Sequence, residues 1–283
     1  MRHILAVLAV VLGALVAASY GGAWHPVGDS LAVFRREFVI GFALALIWTG
    51  WPAWVRWPLA GLAVAWLGAF VWASRPDTPG AGYVLYQQNL LHNRADSAEW
   101  LSRVRVEEPD FLTLQEVSPA NLAMLSGLER YVNAVHCPLG RMGEMVMTRH
   151  PVVAGSGFCS KRDGIAAVQV DLPEGPVWVV SLHLSWPWPH GQAAQVDQIL
   201  PALRRISGPV ILAGDFNSVA WSHTVARVGA ATDARRIGPV LGTFDLPLIK
   251  IGIDHVLTSG SGTVQVMPKL GSDHHGLRAV VRP

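Results

Sequence analysis

Charge is almost missing from the first quarter of this chain, and that constrains its fold more than any other feature. Up to about Ala73 the only charged side chains are Arg2, Asp29, Arg35, Arg36, Glu37 and Arg56. From Arg75 onward acidic and basic residues are equal in number. Three apolar stretches fill the front, roughly Ile4 to Tyr20, Phe38 to Trp54 and Trp57 to Trp72. Each is near the ~17–20 residues that cross a bilayer as a helix. Trp48, Trp51, Trp54, Trp57, Trp66 and Trp72 lie mostly near the ends, where indole rings favour the membrane interface. The pattern predicts a membrane region of about three transmembrane helices over residues 1–74, a linker over 75–81 and a globular domain over 82–283. Buried core helices of a soluble protein are the competing reading, weakened by the lack of a polar face.

The first stretch has a second reading. Arg2 and His3, an apolar core, then Ala17-Ala18-Ser19 also fit a secretory signal peptide. Three crossings from an N-in start, or cleavage followed by two, both leave the C-terminal domain outside the cytoplasm. The expected location is therefore an integral membrane protein, in the inner membrane if bacterial, with its domain on the extracytoplasmic side. The positive-inside rule leans the other way, because Arg2 and Arg56 face Arg35, Arg36 and Arg75. Cys137 and Cys159 show no Cys-x-x-Cys spacing, and two buried free thiols are expected over a disulfide.

From Tyr83 on, strand-like and helix-like runs alternate. Tyr83 to Tyr86, Phe111 to Leu114, Ile165 to Val170, Val177 to Leu182, Val210 to Ala213 and Ile253 to Leu257 read as strands. Trp100, Leu101 and Val104 recur at helical spacing behind an Asp96/Glu99 capping box. Ser118-Pro119 opens another helix. Gln192 to Ile206 is helical by period, with Pro201 expected to kink it or end it early. The sum is an α/β (α+β) domain, a two-layer sheet sandwich flanked by helices. A fragment starting near Pro79 is expected to be soluble alone.

The chemistry lies at strand ends. Gly214-Asp215-Phe216-Asn217 directly follows Val210-Ile211-Leu212-Ala213, and residues two apart on a strand share a side. Gln88-Asn89, Gln115-Glu116, His183, Asp254-His255 and Ser272-Asp273-His274 repeat the pattern. Buried carboxylates are costly unless paired or metal-bound. Glu116, Asp215, Asp254 and Asp273 with amide partners suit a hard cation, Mg²⁺ or Mn²⁺. His183, His274 and His275 add imidazoles that hold or deliver a proton. Metal, carboxylate base and cationic imidazole are what phosphoester hydrolysis needs. Taken singly, Asn89 could cap a turn, Glu116 could end a solvated strand, and His183 could be a core histidine. The ordered set is harder to account for that way.

That ordered set resembles the endonuclease/exonuclease/phosphatase superfamily, which includes deoxyribonucleases, apurinic endonucleases and sphingomyelinases. The resemblance runs from about Val84 to Val281 through Asn89, Leu114-Gln115-Glu116-Val117, Thr148-Arg149-His150-Pro151, Ser181-Leu182-His183-Leu184, Gly214-Asp215-Phe216-Asn217, Ile253-Asp254-His255-Val256 and Ser272-Asp273-His274. It implies a four-layer α/β/β/α sandwich and a Mg²⁺- or Mn²⁺-dependent hydrolase. By resemblance, Glu116 ligates the metal with Asn89 and Asp273, and Asp215 positions or deprotonates the attacking water. Asn217 orients the phosphate. His274, steered by Asp254, stabilises the transition state, and His183 serves another phosphate oxygen.

The substrate is less legible. Balanced charge does not suggest a nucleic-acid binder, although Arg94, Arg103, Arg105, Arg141, Arg149, Lys161 and Arg162 could line a local groove. The loop Ser185-Trp186-Pro187-Trp188-Pro189-His190 could stack on a base or sugar, enter a lipid surface, or pack on its own domain. The leading expectation is a membrane-anchored phosphodiesterase acting on nucleic acid or phospholipid. The alternatives are a phosphomonoesterase and a non-catalytic membrane-bound scaffold. No protein partner is expected.

Overall fold

Alternating apolar residues after Tyr83 build two six-stranded sheets that bury their inner faces against each other. The computed structural model describes the chain from Met1 to Pro283 except residues 76, 77, 79, 95–97 and 161–163. Asp96 of the expected capping box, much of the expected linker, and Lys161 and Arg162 therefore lie outside the described residues. The first sheet runs, in spatial order, Ser261–Val266, Leu277–Arg282, Tyr83–Asn89, Phe111–Gln115, Met142–Thr148 and Asn133–Leu139. The second runs Phe158–Cys159, Ile165–Leu172, Gly175–His183, Val210–Asp215, Asp254–Thr258 and Arg235–Arg236. Each has one parallel pair at its centre, Tyr83–Asn89 with Phe111–Gln115 and Gly175–His183 with Val210–Asp215. The other strand pairings within both sheets are antiparallel.

Leu85, Phe111, Val146, Val168, Val179, Ile211 and Val256 meet in the core between the sheets. Helix Gln192–Leu203 and helix His223–Ala231 cover the outer face of the second sheet through Val196, Ile199, Val225 and Val228. Helix Ala98–Glu107 and helix Pro119–Leu125 cover the first through Trp100, Val104 and Leu125. Helices thus flank both sheets, as expected. Ser118 Oγ caps its helix by accepting from Asn121 N at 3.3 Å, with Pro119 in the first turn. The helix from Gln192 accommodates Pro201 but ends at Leu203, short of Ile206.

One expectation is overturned. Cys137 and Cys159 are not free thiols; they form a disulfide with Cα atoms 5.4 Å apart. Cys137 lies on the edge strand of the first sheet and Cys159 on the edge strand of the second, so the bond ties the two layers. That neighbourhood is set by sheet stacking, which spacing in the sequence does not reveal.

The front forms helices Arg2–Ala18, Val27–Val33, Arg35–Trp48 and Ala53–Ala73. Only Ala53–Ala73, with 21 residues, is long and apolar enough to cross a membrane among the described residues. Arg2–Ala18 is apolar but has 17 residues. Arg35–Trp48 has 14, about 21 Å at 1.5 Å per residue, shorter than the expected Phe38 to Trp54. It stops because Thr49 turns extended and Gly50-Trp51-Pro52 cannot continue it.

The front is also packed on the domain. Ala32 and Val33 join Val219, Ile251 and Ile253 in a buried cluster. Trp66 and Phe70 pack edge-on against Trp221, whose Nε1 donates to Ala32 O at 2.9 Å. Cutting the chain near Pro79 would uncover this apolar surface, so the isolated fragment is less self-contained than the sequence implies.

Candidate active site

The two parallel strand pairs place the polar ends in register. Asn89 pairs with Gln115, and His183 with Asp215, while Asp254 opposes Asp215 across the antiparallel neighbour. The site therefore lies where the central strands of both sheets end. Gly214 is required by this packing: a Cβ there would lie 1.9 Å from Leu182 O. Glu116 and Asn217 both hold left-handed backbone, with φ of 54° and 47°. Such conformations are uncommon outside glycine and cluster at functional sites.

Asp215 is buried at the centre. Its Oδ1 accepts from Asn217 N at 2.8 Å and its Oδ2 from Asn89 Nδ2 at 3.2 Å. His274 Nε2 and His183 Nε2 lie 3.6 and 3.7 Å from the same Oδ2. Burial raises the Asp215 carboxyl above its ordinary value, although His274 pulls it back. His274 Nδ1 is 2.9 Å from Asp254 Oδ2. Burial disfavours the imidazolium, but Asp254 and Asp215 outweigh it and raise His274 to about 10. Its ring is therefore cationic at neutral pH. His183 is pushed down by burial and pulled up more by Glu144 and Asp215, so it too is raised.

Glu116 Oε1 accepts from Asn89 Nδ2 at 3.1 Å, and Oε2 sits 2.7 Å from His92 Nδ1. Burial raises this carboxyl, but the His92 ring and backbone and Asn89 together hold it below its usual value. Asp273 is exposed on the neighbouring turn, whose Ser272 Oγ donates to Asn89 O at 2.7 Å. Asn217 Nδ2 donates to Leu184 O at 2.7 Å, and its buried Oδ1 has no partner among the described residues.

Two clusters compete as a cation site. The ligand atoms of Asp215, Asp254 and His274 lie within 4.8 Å of one another. Yet a carboxylate faces each ring nitrogen of His274, so this trio is already an ion-paired relay. Glu116 and the exposed Asp273 offer hard carboxylate oxygens at the rim, beside buried Asn89, whose Oδ1 accepts from Leu91 N at 3.0 Å, and carboxylate oxygens are the better match to Mg²⁺ or Mn²⁺. That donor set fits the implied metal.

Several polar residues were missed from sequence. Gln87 Nε2 bridges Gln115 Oε1 at 2.8 Å and Asp254 Oδ1 at 2.9 Å. Gln115 Nε2 continues the chain to Ser181 Oγ at 2.8 Å, linking the sheets beneath the site. Gln88 faces the other way and accepts from Trp100 Nε1. Period-two reasoning from Asn89 would have chosen Gln87. Buried Glu144, 3.4 Å from His183, was visible only as one acid in an apolar run. His92 lacked any signal. Gln192 ties the site together: Nε2 donates to Ser185 O and Phe216 O, and Oε1 accepts from Ser218 and Thr224 hydroxyls.

His255 and His275 stand outside the chemistry. Burial lowers His255 to about 4, leaving it neutral, with Nε2 on Ser218 O. His275 contacts Met267 O and Asp245.

Four of the seven basic residues that could line a groove, Arg94, Arg103, Arg105 and Arg149, are engaged by neighbouring groups. Arg149 donates to Asp110 at 2.8 Å, Arg103 to Glu107 at 3.3 Å, Arg105 to Gly127 O at 3.0 Å and Arg94 to Leu270 O. Arg149 follows Thr148, which pairs with Phe111 at the far end of the strand that carries Gln115. Aromatic groups line the site. The Phe244 ring lies 4.9 Å from His274 and 5.8 Å from Trp186.

Comparison with known proteins agrees with this geometry. Residues 86–274, more than half of the chain, match the Endonuclease/Exonuclease/phosphatase family. The chain belongs to that family, whose enzymes hydrolyse phosphoester bonds. An endonuclease/exonuclease/phosphatase from Beutenbergia cavernae DSM 12333 is similar at 20% identity and a TM-score of 0.55, covering 71% of each chain. D. rerio TDP2 complexed with single strand DNA product is similar at 16% identity and 0.58, covering 72% of this chain and 100% of that one. Beta toxin from Staphylococcus aureus is similar at 13% and 0.52, covering 71% and 100%. At these identities the likeness is one of fold. No curated protein matches the sequence.

Proposed function

We propose that this protein is a membrane-anchored, Mg²⁺- or Mn²⁺-dependent phosphodiesterase whose catalytic domain lies on the extracytoplasmic side and acts on phospholipid. The observation that carries the chemistry is the buried His274 ring, with Nδ1 2.9 Å from Asp254 Oδ2 and Nε2 3.6 Å from Asp215 Oδ2. A water beside Asp215 Oδ2 gives its proton to that carboxylate while its oxygen bonds to phosphorus. The ester oxygen opposite leaves with the P–O electron pair and takes a proton from solvent. His274 Nε2–H stabilises the charge that builds on a non-bridging oxygen, and His183 serves a second. Asp254 keeps the His274 ring charged and oriented, and Gln87 orients Asp254. Glu116 and Asp273, with Asn89 beside them, would hold a divalent cation, which when bound would supply Lewis-acid stabilisation of phosphate charge.

Three features support the membrane setting. The Ala53–Ala73 helix matches a bilayer core at about 1.5 Å per residue. The segment between the first two apolar stretches touches the domain that follows the third, through Ser30 Oγ to Trp188 O at 2.7 Å. Both then lie on the same side of a bilayer, as the expected three-crossing arrangement requires. The Cys137–Cys159 disulfide suits an oxidising compartment.

The Trp188 contact also holds the aromatic site loop beside the N-terminal segment, and Arg103, Arg105 and Arg149 of the basic set are engaged elsewhere. Both features favour phospholipid over nucleic acid. The test is to give the full-length protein phospholipid vesicles and supercoiled plasmid side by side, with Mg²⁺ or EDTA and Asp215→Ala as blank. Metal-dependent release from lipid supports the reading. Nicking of plasmid alone replaces lipid by nucleic acid, and cleavage of monoesters alone makes the enzyme a phosphatase.

A further inference from the structure

A second charged feature lies away from the catalytic centre. Trp72, Ala73 and Arg75, at the end of the Ala53–Ala73 helix, form one wall of a cleft of about 580 Å³. Arg235 and Arg236 on the short edge strand, the turn at Gly238, and Gly260 to Gly262 form the rest. The Arg235–Arg236 strand pairs with Leu257 and Thr258, whereas Asp254 of the site starts that same strand. The cleft is thus near the other end of the strand, about 13 Å from the chemistry at 3.3 Å per residue.

Three guanidinium groups line this cleft, and among the described residues no carboxylate does. Arg75 stacks over the Trp72 indole with its guanidinium carbon 4.2 Å from the ring centroid. Arg236 is steadied by Nη1 donating to Ile237 O and to Pro239 O at 2.9 Å. Val240 N donates to Ala73 O at 2.7 Å and pins the helix end to the edge of the domain. Arg75 and Arg235 are exposed. Guanidinium groups bind phosphate oxygens in bidentate fashion. Trp72 is the indole at the end of a bilayer-length helix, and aromatic residues there sit at headgroup depth.

We propose that the cleft between Arg75 and Arg235, with Arg236 adding positive charge to its wall, binds a phosphate anion, presented in the membrane as the headgroup of an anionic phospholipid. Such a site would hold the domain in a fixed orientation on the bilayer, apart from any substrate in the Asp215 site. Basic residues next to a membrane helix are attracted to anionic lipid and lose that attraction at high salt. The lipid source rests on the membrane reading above; the anion site itself does not.

The test uses the full-length protein in neutral detergent, with Arg75→Ala/Arg235→Ala as the variant. Thermal unfolding is followed with dioctanoyl phosphatidylglycerol, with dioctanoyl phosphatidylcholine, and with inorganic phosphate. Phosphatidylglycerol is expected to raise the Tm by roughly 5 °C near saturation. Phosphatidylcholine should raise it much less, and the shift should vanish in the variant. Competition by inorganic phosphate would show that a free anion also fills the site. Absence of a shift with either anionic probe, or a full shift in the variant, overturns the proposal. Hydrolysis of a small chromogenic phosphodiester should be unchanged in the variant, which shows that its fold is intact. Membrane fractionation of the cells judges the anchoring reading separately.

Discussion

His274 holds its Nδ1 2.9 Å from Asp254 Oδ2, the closest contact its ring makes to a carboxylate. The pair is buried, and Gln87 occupies the other oxygen of Asp254 at 2.9 Å. This fixes the ring so that Nε2 faces the space beside Asp215. Substituting His274→Ala is expected to lower kcat by about 10²–10³-fold with little change in KM, the pattern of a group used in the transition state. Steady-state kinetics with a soluble phosphodiester checks this; an unchanged kcat removes His274 from the mechanism.

Glu144→Gln isolates the other imidazole. Glu144 is buried 3.4 Å from His183 Nδ1 and helps to keep that ring protonated. The neutral amide should lower kcat by about tenfold while the protein stays folded, a positioning effect smaller than loss of His274. Comparing the two variants in one assay orders their roles, and equal losses would show that Glu144 does more than steer His183.

Asp110 gives a stability prediction with a defined pH dependence. Its Oδ1 accepts from Arg149 and approaches His150 Nε2 at 2.8 Å, and its Oδ2 accepts from Val84 N at 2.7 Å. Burial raises this carboxyl, but Val84, Arg149 and His150 together bring it below its ordinary value. A depressed carboxylate stabilises the fold above its unfolded pKa and loses that contribution as pH falls through the folded one. Asp110→Asn should cost about 2 kcal/mol at pH 7. Urea unfolding at pH 7 and pH 3 should show the difference shrink in acid; a cost independent of pH would assign Asp110 a purely packing role.

The Cys137–Cys159 bond closes a separation of 22 residues. A loop of that length corresponds to about 3 kcal/mol of stability in the chain-entropy account. Reduction, or Cys137→Ser with Cys159→Ser, should lower unfolding stability by about that amount and leave the strand-end site intact. Mass spectrometry of the protein from its native cells, with and without reductant, checks the bond; free thiols there would argue against an oxidising compartment.

Asp29 reaches from the N-terminal helix Val27–Val33 into the domain. Its carboxylate accepts from His223 N at 2.7 Å and Thr224 N at 2.9 Å, at the start of the His223–Ala231 helix. Thr224 in turn holds Gln192, which binds the Ser185 and Phe216 carbonyls beside the site. Asp29→Ala should cost about 1 kcal/mol through the lost cap. It should also lower kcat severalfold through the loosened loop. Unaltered kcat in a destabilised variant would confine Asp29 to a capping role.

The strand-end acids were legible because a carboxylate that ends a buried apolar strand needs a cation, a metal or hydrogen-bond donors around it. The register then places Asp254 opposite Asp215 and Asn89 beside Gln115. The flanking helices followed from period and caps, as at Ser118. The disulfide was not legible, because it joins edge strands of different sheets. Glu144, His92 and Asp29 were missed because each gains its meaning from a partner distant in sequence. The partners of Arg103, Arg105 and Arg149 were illegible for a related reason: composition counts arginines but does not show that Asp110, Glu107 and a backbone carbonyl engage them.

The central claim is metal-dependent hydrolysis of a phosphodiester at Asp215. The most direct measurement is the turnover of bis(4-nitrophenyl) phosphate by the full-length protein with Mg²⁺ or Mn²⁺, after EDTA, and by Asp215→Asn. The account predicts turnover that EDTA abolishes and metal restores, reduced by about 10³-fold or more in the variant. Turnover that survives EDTA, or that Asp215→Asn retains in full, would contradict it.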